Sequence, residues 1–395
     1  MNIFYDGNAK SWHSNQPGLT LGSNQQQLLP LFPFLKDFQT FHMTYEASNA
    51  GPIVGIMTSY NSKNKLIGNR PLFEKLQREL DSFGGIIIVF PPERLTHTNV
   101  DGFTYISSEN KWLPITTPLP HVIYNRVPFR KTEEEDHFAA AINILKSFNI
   151  PFFNPHFLHK FELYQTLKQH NILTNFLPET AQLTSEHVLA DFLSRHGSIY
   201  VKPASGFKGK DIYRLLRRID NSFLLENVKG IQNYHSFQEI TKNFLPKWTS
   251  KEYIVQEEID VDVFNGQRYD FRILATYLNG KYCLTGVGIR QSSLQDVTTH
   301  VPAGGKIIPY ADVQTKEHDH FIQLVIEHCG ALLSDEFGFF GEFSIDACMD
   351  KQGNYYIFEV NSKPMLFDEP EIETNRTRQL AKLFYELAGF KQQRE

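Results

Sequence analysis

The stretch Gly338–Pro364, GFFGEFSIDACMDKQGNYYIFEVNSKP, constrains this chain more than any other. Over Glu342–Met349, Phe343, Ile345 and Ala347 alternate with Glu342, Ser344 and Asp346. Over Tyr355–Asn361, Phe358 and Val360 alternate with Ile357, Glu359 and Asn361. A period of two belongs to strands with one buried face. The connector Lys351-Gln352-Gly353-Asn354 carries hairpin-turn residues. A two- or four-residue loop centred between Gln352 and Gly353 sets Asp346 opposite Glu359 and Ser344 opposite Asn361, whereas a three-residue loop breaks that pairing. Two carboxylates and an amide oxygen on one face form a hard-oxygen cluster. Mg²⁺ takes such ligands, usually together with phosphate oxygens of a nucleotide. A solvated surface hairpin is the competing reading, and the apolar residues around the acids weigh against it.

A metal–phosphate site needs cations upstream, and the chain offers them on ordered elements. Ile199-Tyr200-Val201-Lys202 reads as a strand ending in a lysine. It runs into a loop containing Gly206 and Gly209 and then into a strand over Ile212–Leu216. Glycines let a backbone approach phosphates and turn its N–H groups toward them. The Walker A pattern is absent, and a plain hairpin turn is the alternative reading of the loop. Lys202 is aimed by its strand, so it is expected to matter more for phosphate than the loop residues Lys208 and Lys210. Lys160 lies on a helix expected over His156–His170. Glu252–Gln256 reads as a strand followed by Glu257, Glu258 and Ile259, a place where backbone groups can meet an adenine edge. Tyr269–Tyr277 and Tyr282–Ile289 form a hairpin across Asn279-Gly280, with Asp270 and Arg272 sharing a face and Arg290 following the second strand.

The rest of the chain reads as α/β. Strands are expected at Pro52–Met57, Ile86–Phe90 and His121–Tyr124, and helices at Pro71–Asp81 and Thr132–Phe148. Further helices are expected over Thr184–His196, from Ser236 to about Leu245, and over Lys316–Leu333, with a C-terminal one over Glu369–Leu387. Arg126 follows a strand end, where ligands of parallel sheets gather, and a surface arginine is the equal alternative. Residues 1–50 are rich in Asn, Gln, Ser and aromatics and read as a small β-rich appendage or a partly ordered arm. A net charge of −5 argues against a general nucleic-acid binder. Three scattered cysteines match no zinc or disulfide pattern. The sequence has no apolar run of membrane-spanning length and no signal-peptide centre near Met1. The expectation is a cytoplasmic protein that spans no membrane.

Taken together, "YVKPASGFKGKD", "YIVQEEID", "YDFRILATYLNGKY", "VPAGGK" and the closing hairpin resemble the ATP-grasp superfamily. With "GPIVGIMTSY" and "HVIYNRVPFR" upstream, the chain resembles the YheC/YheD group of endospore coat-associated ATP-grasp proteins. The resemblance runs from about Gly51 to the C-terminus. It implies an α/β (α+β) architecture with two α+β subdomains clamping a nucleotide. The implied division is an extension at 1–50, a small α/β domain at 51–150 and an ATP-grasp domain at 151–395, with its lid at about 190–260. By position it implies that Lys160 and Lys202 hold the α- and β-phosphates and that the Gly206–Gly209 loop folds over them. Gln256, Glu257, Glu258 and Ile259 would line the adenine, and Asp270 the nucleotide side. Arg290 and Arg272 would act in catalysis, and Asp346, Glu359 and Asn361 would hold Mg²⁺, normally as two ions. The implied partners are ATP and an unidentified small-molecule or peptide acceptor, with association with the spore coat. The implied reaction is ligation of a carboxylate to an amine or thiol through an acyl-phosphate, and a non-catalytic coat scaffold is the alternative. Three departures stand out: Asp211 after the glycine loop and His300 before Gly304-Gly305 bear on turnover, and Lys363 would bias the acceptor site.

Overall fold

The computed structural model describes all residues except 32–37, 62, 64, 206–210, 293–304 and 392–395. Gly206, Gly209, Lys208, Lys210 and His300 therefore lie outside the described residues. Three six-stranded sheets carry the architecture, with smaller sheets in the N-terminal region. The structure is mixed α/β.

In the first large sheet Ile53–Met57 runs parallel between Ile86–Phe90 and Val122–Asn125. All residues of these three strands are buried. They are covered on both faces, so their sequences are apolar runs without alternation. Asn69 caps the Arg70–Asp81 helix by accepting from the Leu72 N–H, and Pro71 fits its first turn. Two antiparallel strands that the sequence did not suggest, Asn99–Ile106 and Lys111–Pro118, extend one side. The prolines at 114 and 118 hide the second of these, and they are tolerated because it is the sheet edge. The helix expected over Thr132–Phe148 is two, Arg130–Glu133 and Asp136–Ser147.

The described residues of 1–50 form short strands, the β-rich alternative, and share a core with the sheet that follows them. Ile3, Tyr5, Trp12, Leu21 and Leu28 enter one core with Ile53, Ile86, Ile88 and Phe90. The Trp12 indole N–H donates to the Thr116 carbonyl at 2.9 Å, and the Thr116 N–H donates to the Tyr5 hydroxyl at 3.0 Å. The opposite face of the sheet is closed by the Arg70–Asp81 helix and by Leu380, Leu383 and Phe384 of the C-terminal helix Pro370–Ala388.

The middle sheet is antiparallel and includes Ser198–Pro203, Tyr213–Arg217 and Tyr253–Glu257. Its core face packs on the helices Glu186–His196 and Phe237–Ser250. The second helix runs past Pro246, because Trp248 is fully buried beyond it. The last sheet is ordered Lys306–Ile308, Lys281–Gln291, Gln267–Leu278, Glu342–Met349, Tyr355–Asn361. One face, with Phe271, Ile273, Phe343, Ile345, Ile357 and Val360, packs on the Lys316–Phe337 helix. The other face carries the charged residues.

Candidate functional site

The register of the last sheet brings those charges together. Asp270 pairs with Arg290, Arg272 with Gly288 and with Asp346, Asp346 with Glu359, and Ser344 with Asn361. The Asp346–Glu359 pairing does not come from the expected turn. Asp350 N–H bonds the Asn354 carbonyl, so the loop is the three residues Lys351–Gly353, with Gly353 at φ +89°. That loop alone sets Asp346 opposite Phe358. A bulge between Asp346 and Ala347 admits one extra residue on the facing strand and moves Glu359 into place. Phe358 consequently leaves the Val360 face on which alternation put it. It packs with Ile259, Val261, Cys348 and Tyr356.

Arg290 lies between two carboxylates: its Nε donates to Asp270 at 2.8 Å, and its Nη2 is 3.2 Å from Asp346 Oδ1. Burial would lower its pKa, and the two acids outweigh burial and raise it. Asp346 Oδ1 is sealed from solvent and has no aligned hydrogen bond. Arg272 stacks over Phe367 at 4.5 Å, and its pKa is lowered by burial.

Two lysines face this surface from other elements. The Lys160 N–H bonds the Ala204 carbonyl, which ties the start of the Lys160–Gln169 helix to the end of the Lys202 strand. Lys160 pairs with Glu359. Lys202 donates to Gln256 Oε1 at 2.5 Å. Burial, then the neighbouring Lys160 ammonium, pull its pKa down to about 8, against the opposing charges of Glu359 and Asp346. A phosphate would relieve that penalty. Lys202→Ala is expected to weaken nucleotide binding by about 10- to 100-fold, the cost of one charge-assisted hydrogen bond. Calorimetric titration with ATP and Mg²⁺ checks this, and an unchanged affinity removes Lys202 from the site.

At the strand end Tyr253–Glu257 the side chains are committed to the protein. Gln256 also donates to Thr180 at 3.0 Å, Glu257 accepts the Glu179 N–H at 2.7 Å, and Glu258 accepts from Arg214 Nε at 2.9 Å. The Glu257 and Glu258 N–H groups bond the Glu179 and Ser198 carbonyls. What this segment offers a flat ring is the Ile259 N–H, since the Ile259 carbonyl accepts from Val261, and the apolar patch of Ile259 and Phe358.

The structure also places two of the departures, Asp211 and Lys363. Asp211 accepts from Lys247 at 3.0 Å, and that contact lowers its pKa, so its charge is already matched. The Lys363 side chain is buried against Glu133 and the Val127 carbonyl, with its pKa lowered by burial to about 8, and packs the turn. Arg126, left open by the sequence, is buried. It bonds the Pro364 carbonyl at 2.9 Å and lies 3.4 Å from Glu342. The sequence did not flag Glu342 and Arg376, which form a fully buried two-point ion pair beside it.

Mg²⁺ and ATP fit the residues present. Among the described residues no group of three or more His, Cys, Asp or Glu side chains could hold a metal alone. Asp346, Glu359 and the Asn361 amide would leave the remaining positions to phosphate oxygens, the arrangement Mg²⁺ favours. Asp346 Oδ1 is buried and faces Arg290 Nη2 at 3.2 Å, so an ion held there would share this oxygen with the guanidinium.

The model of the "YheC/D like ATP-grasp" family matches residues 149–390. The chain belongs to the YheC/D-like ATP-grasp family. Among curated proteins this family member is similar to "Endospore coat-associated protein YheD" of Bacillus subtilis (strain 168), 26% identical over 82% of this chain and 75% of the relative. It is also similar to "Endospore coat-associated protein YheC" of the same organism, 21% identical over 73% of this chain and 84% of the relative. Two solved structures share the ATP-grasp fold. D-alanyl-alanine synthetase A from Vibrio cholerae has TM-score 0.51 and 12% identity, and covers 86% of this chain and 98% of its own. VanG D-Ala:D-Ser ligase from Enterococcus faecalis has TM-score 0.52 and 9% identity, and covers 86% of this chain and 99% of its own. Among the described residues no helix is long and apolar enough to cross a membrane.

Proposed function

We propose that this protein is an ATP- and Mg²⁺-dependent ligase that activates a carboxylate as an acyl-phosphate and joins it to an amine or thiol. The observation carrying this reading is Arg290. A guanidinium sits between Asp270 and Asp346, on the face that holds Glu359 and Asn361, with Arg272 beside it. Phosphoryl transfer needs fixed cations where charge develops on the transferred group. In this reading Lys160 and Lys202 hold the α- and β-phosphates and the segment Gly206–Gly209 covers them. Gln256–Ile259 border the adenine, and Asp270 holds Arg290 and the nucleotide side. Asp346, Glu359 and Asn361 hold Mg²⁺, as one or two ions, which supplies charge neutralisation for the phosphates. Residues from about 190 to 260 serve as the lid of an ATP-grasp unit beginning near 151. The names of the relatives support association with the spore coat.

Those names also favour a second reading, a coat-associated nucleotide binder without turnover. ADP release over a panel of amino acids, peptides and hydroxy acids separates the two. Tight ATP binding with no ADP release from any pair leaves only the second. Within the first reading, Glu359→Gln is expected to raise the Mg²⁺ needed for half-maximal nucleotide binding by roughly tenfold or more. The fold should persist, because Glu359 is 32% exposed. An unchanged Mg²⁺ dependence excludes Glu359 from the metal site.

A further inference from the structure

Beside Arg272 on the same sheet face lies a carboxylate, Glu369, that the ligase reading assigns to neither nucleotide nor metal. Glu369 precedes the C-terminal helix without capping it. Its Oε1 sits 2.6 Å from where a Cβ on Gly288 would stand. Gly288 faces Arg272 directly across the ladder. Its φ is not in the left-handed region, so the glycine serves space and not backbone conformation. Two residues earlier Gly286 makes room for Ile372 in the same way. The strand is thus notched twice to seat the segment Phe367–Ile372 on the charged face, and one notch holds a carboxylate.

Glu369 is half-buried, and among the described residues its carboxylate closes no salt bridge. The charges around it are Asp368 and Glu371 from its own segment, Arg272 from the facing strand, and Arg290 two residues along from Gly288. Burial first, then Asp368 and Glu371, raise its pKa against the pull of its own N–H and Arg272. A carboxylate in this place attracts a cation. It repels a thiolate or an acceptor carboxylate.

Building on the ligase reading, we propose that the acceptor is a primary amine arriving as its ammonium, and that the Glu369 carboxylate binds it and takes its first proton. The freed amine lone pair attacks the acyl carbon of the acyl-phosphate beside Arg272. The C–N bond forms, the C–O bond to phosphate breaks, and the second nitrogen proton leaves with phosphate as the monohydrogen ion. Glu369 returns its proton to solvent.

The test uses the full chain with ATP, Mg²⁺ and a panel of N-acylated amino acids and short peptides as carboxylate donors. Acceptors are alkylamines, N-acetylcysteine as a thiol, and hydroxylamine, which is largely unprotonated at neutral pH. Glu369→Gln should lose at least tenfold more kcat/KM with alkylamines than with hydroxylamine, and that excess should shrink as pH rises and the amine deprotonates itself. Gly288→Ala, which pushes the carboxylate out of its notch, should show the same pattern. Equal losses on both nucleophiles, no loss on amines, or a preference of the wild type for the thiol overturns the amine proposal while the ligase reading stands. Absence of ADP release even with hydroxylamine overturns the ligase reading and this proposal with it.

Discussion

Arg376→Met is expected to lower the free energy of unfolding by about 3–5 kcal/mol, the cost of stranding a buried charge. Arg376 and Glu342 are both fully buried. Arg376 Nε and Nη2 reach the two Glu342 oxygens at 2.8 and 2.6 Å, and its Nη1 reaches Glu373 at 3.1 Å. Burial would raise the Glu342 pKa, but Arg376 and then Arg126 hold it below its ordinary value of 4.5. A carboxylate with a depressed folded pKa contributes stability that is present above that ordinary value and lost as pH falls through the folded one. The wild type should therefore weaken in acid below about pH 4.5, and Arg376→Met should weaken less over the same range. Adding Glu342→Leu should recover only part of the loss, because Arg126 and Tyr124 also bond Glu342. Urea titrations at pH 7 and pH 4 measure both effects. A change under 1 kcal/mol at pH 7 would show that the pair carries little of the stability. The same guanidinium bonds the Pro364 and Met365 carbonyls at 3.0 and 3.3 Å. Turnover should fall even at temperatures where the variant is folded, because the segment leading to Glu369 loses its anchor.

Arg290→Lys is expected to cost about 10²–10³ in kcat, comparable to losing one fixed donor to a developing charge, with ATP affinity within a few-fold of wild type. The substitution keeps a positive charge between Asp270 and Asp346 but cannot reach both as the fork does. Arg290→Ala is the poorer test, since it leaves a buried acid, Asp270, facing the part-buried Asp346 and should lower stability as well. Interactions made mainly in the transition state lower kcat when removed and spare ground-state binding. Single-turnover ADP formation beside a calorimetric ATP titration separates these cases. Equal losses in binding and turnover would make Arg290 a structural clamp.

The local elements were legible because each rests on a local rule. The buried runs Ile53–Met57 and Ile86–Phe90 could not be solvated strands, and Asn279-Gly280 dictated a hairpin. The prolines that obscured Lys111–Pro118, and Pro246 inside a helix, went the other way, because edge position and Trp248 burial outweighed propensity. Residues 1–50 were opaque since their apolar residues complete another segment's core and show no period of their own.

By itself the sequence determined the alternation of faces away from the bulges, that Lys202 ends a strand, and that acids and arginines cluster late in the chain. It could not determine which of them meet. From their turns alone, Asp270 would face Ile289 and Asp346 would face Phe358. In each hairpin one bulge shifts the register by a residue, so that Asp270 meets Arg290 and Asp346 meets Glu359. A one-residue slip costs nothing in local propensity but turns a strand's side chains over. Only packing of both sheet faces at once, Ile357 and Val360 on the core and Phe358 against Ile259, selects it. The same holds for Glu342 with Arg376, and for Glu369 in the notch at Gly288. They are far apart in sequence, and only the tertiary fold supplies the burial that gives each charge its strength.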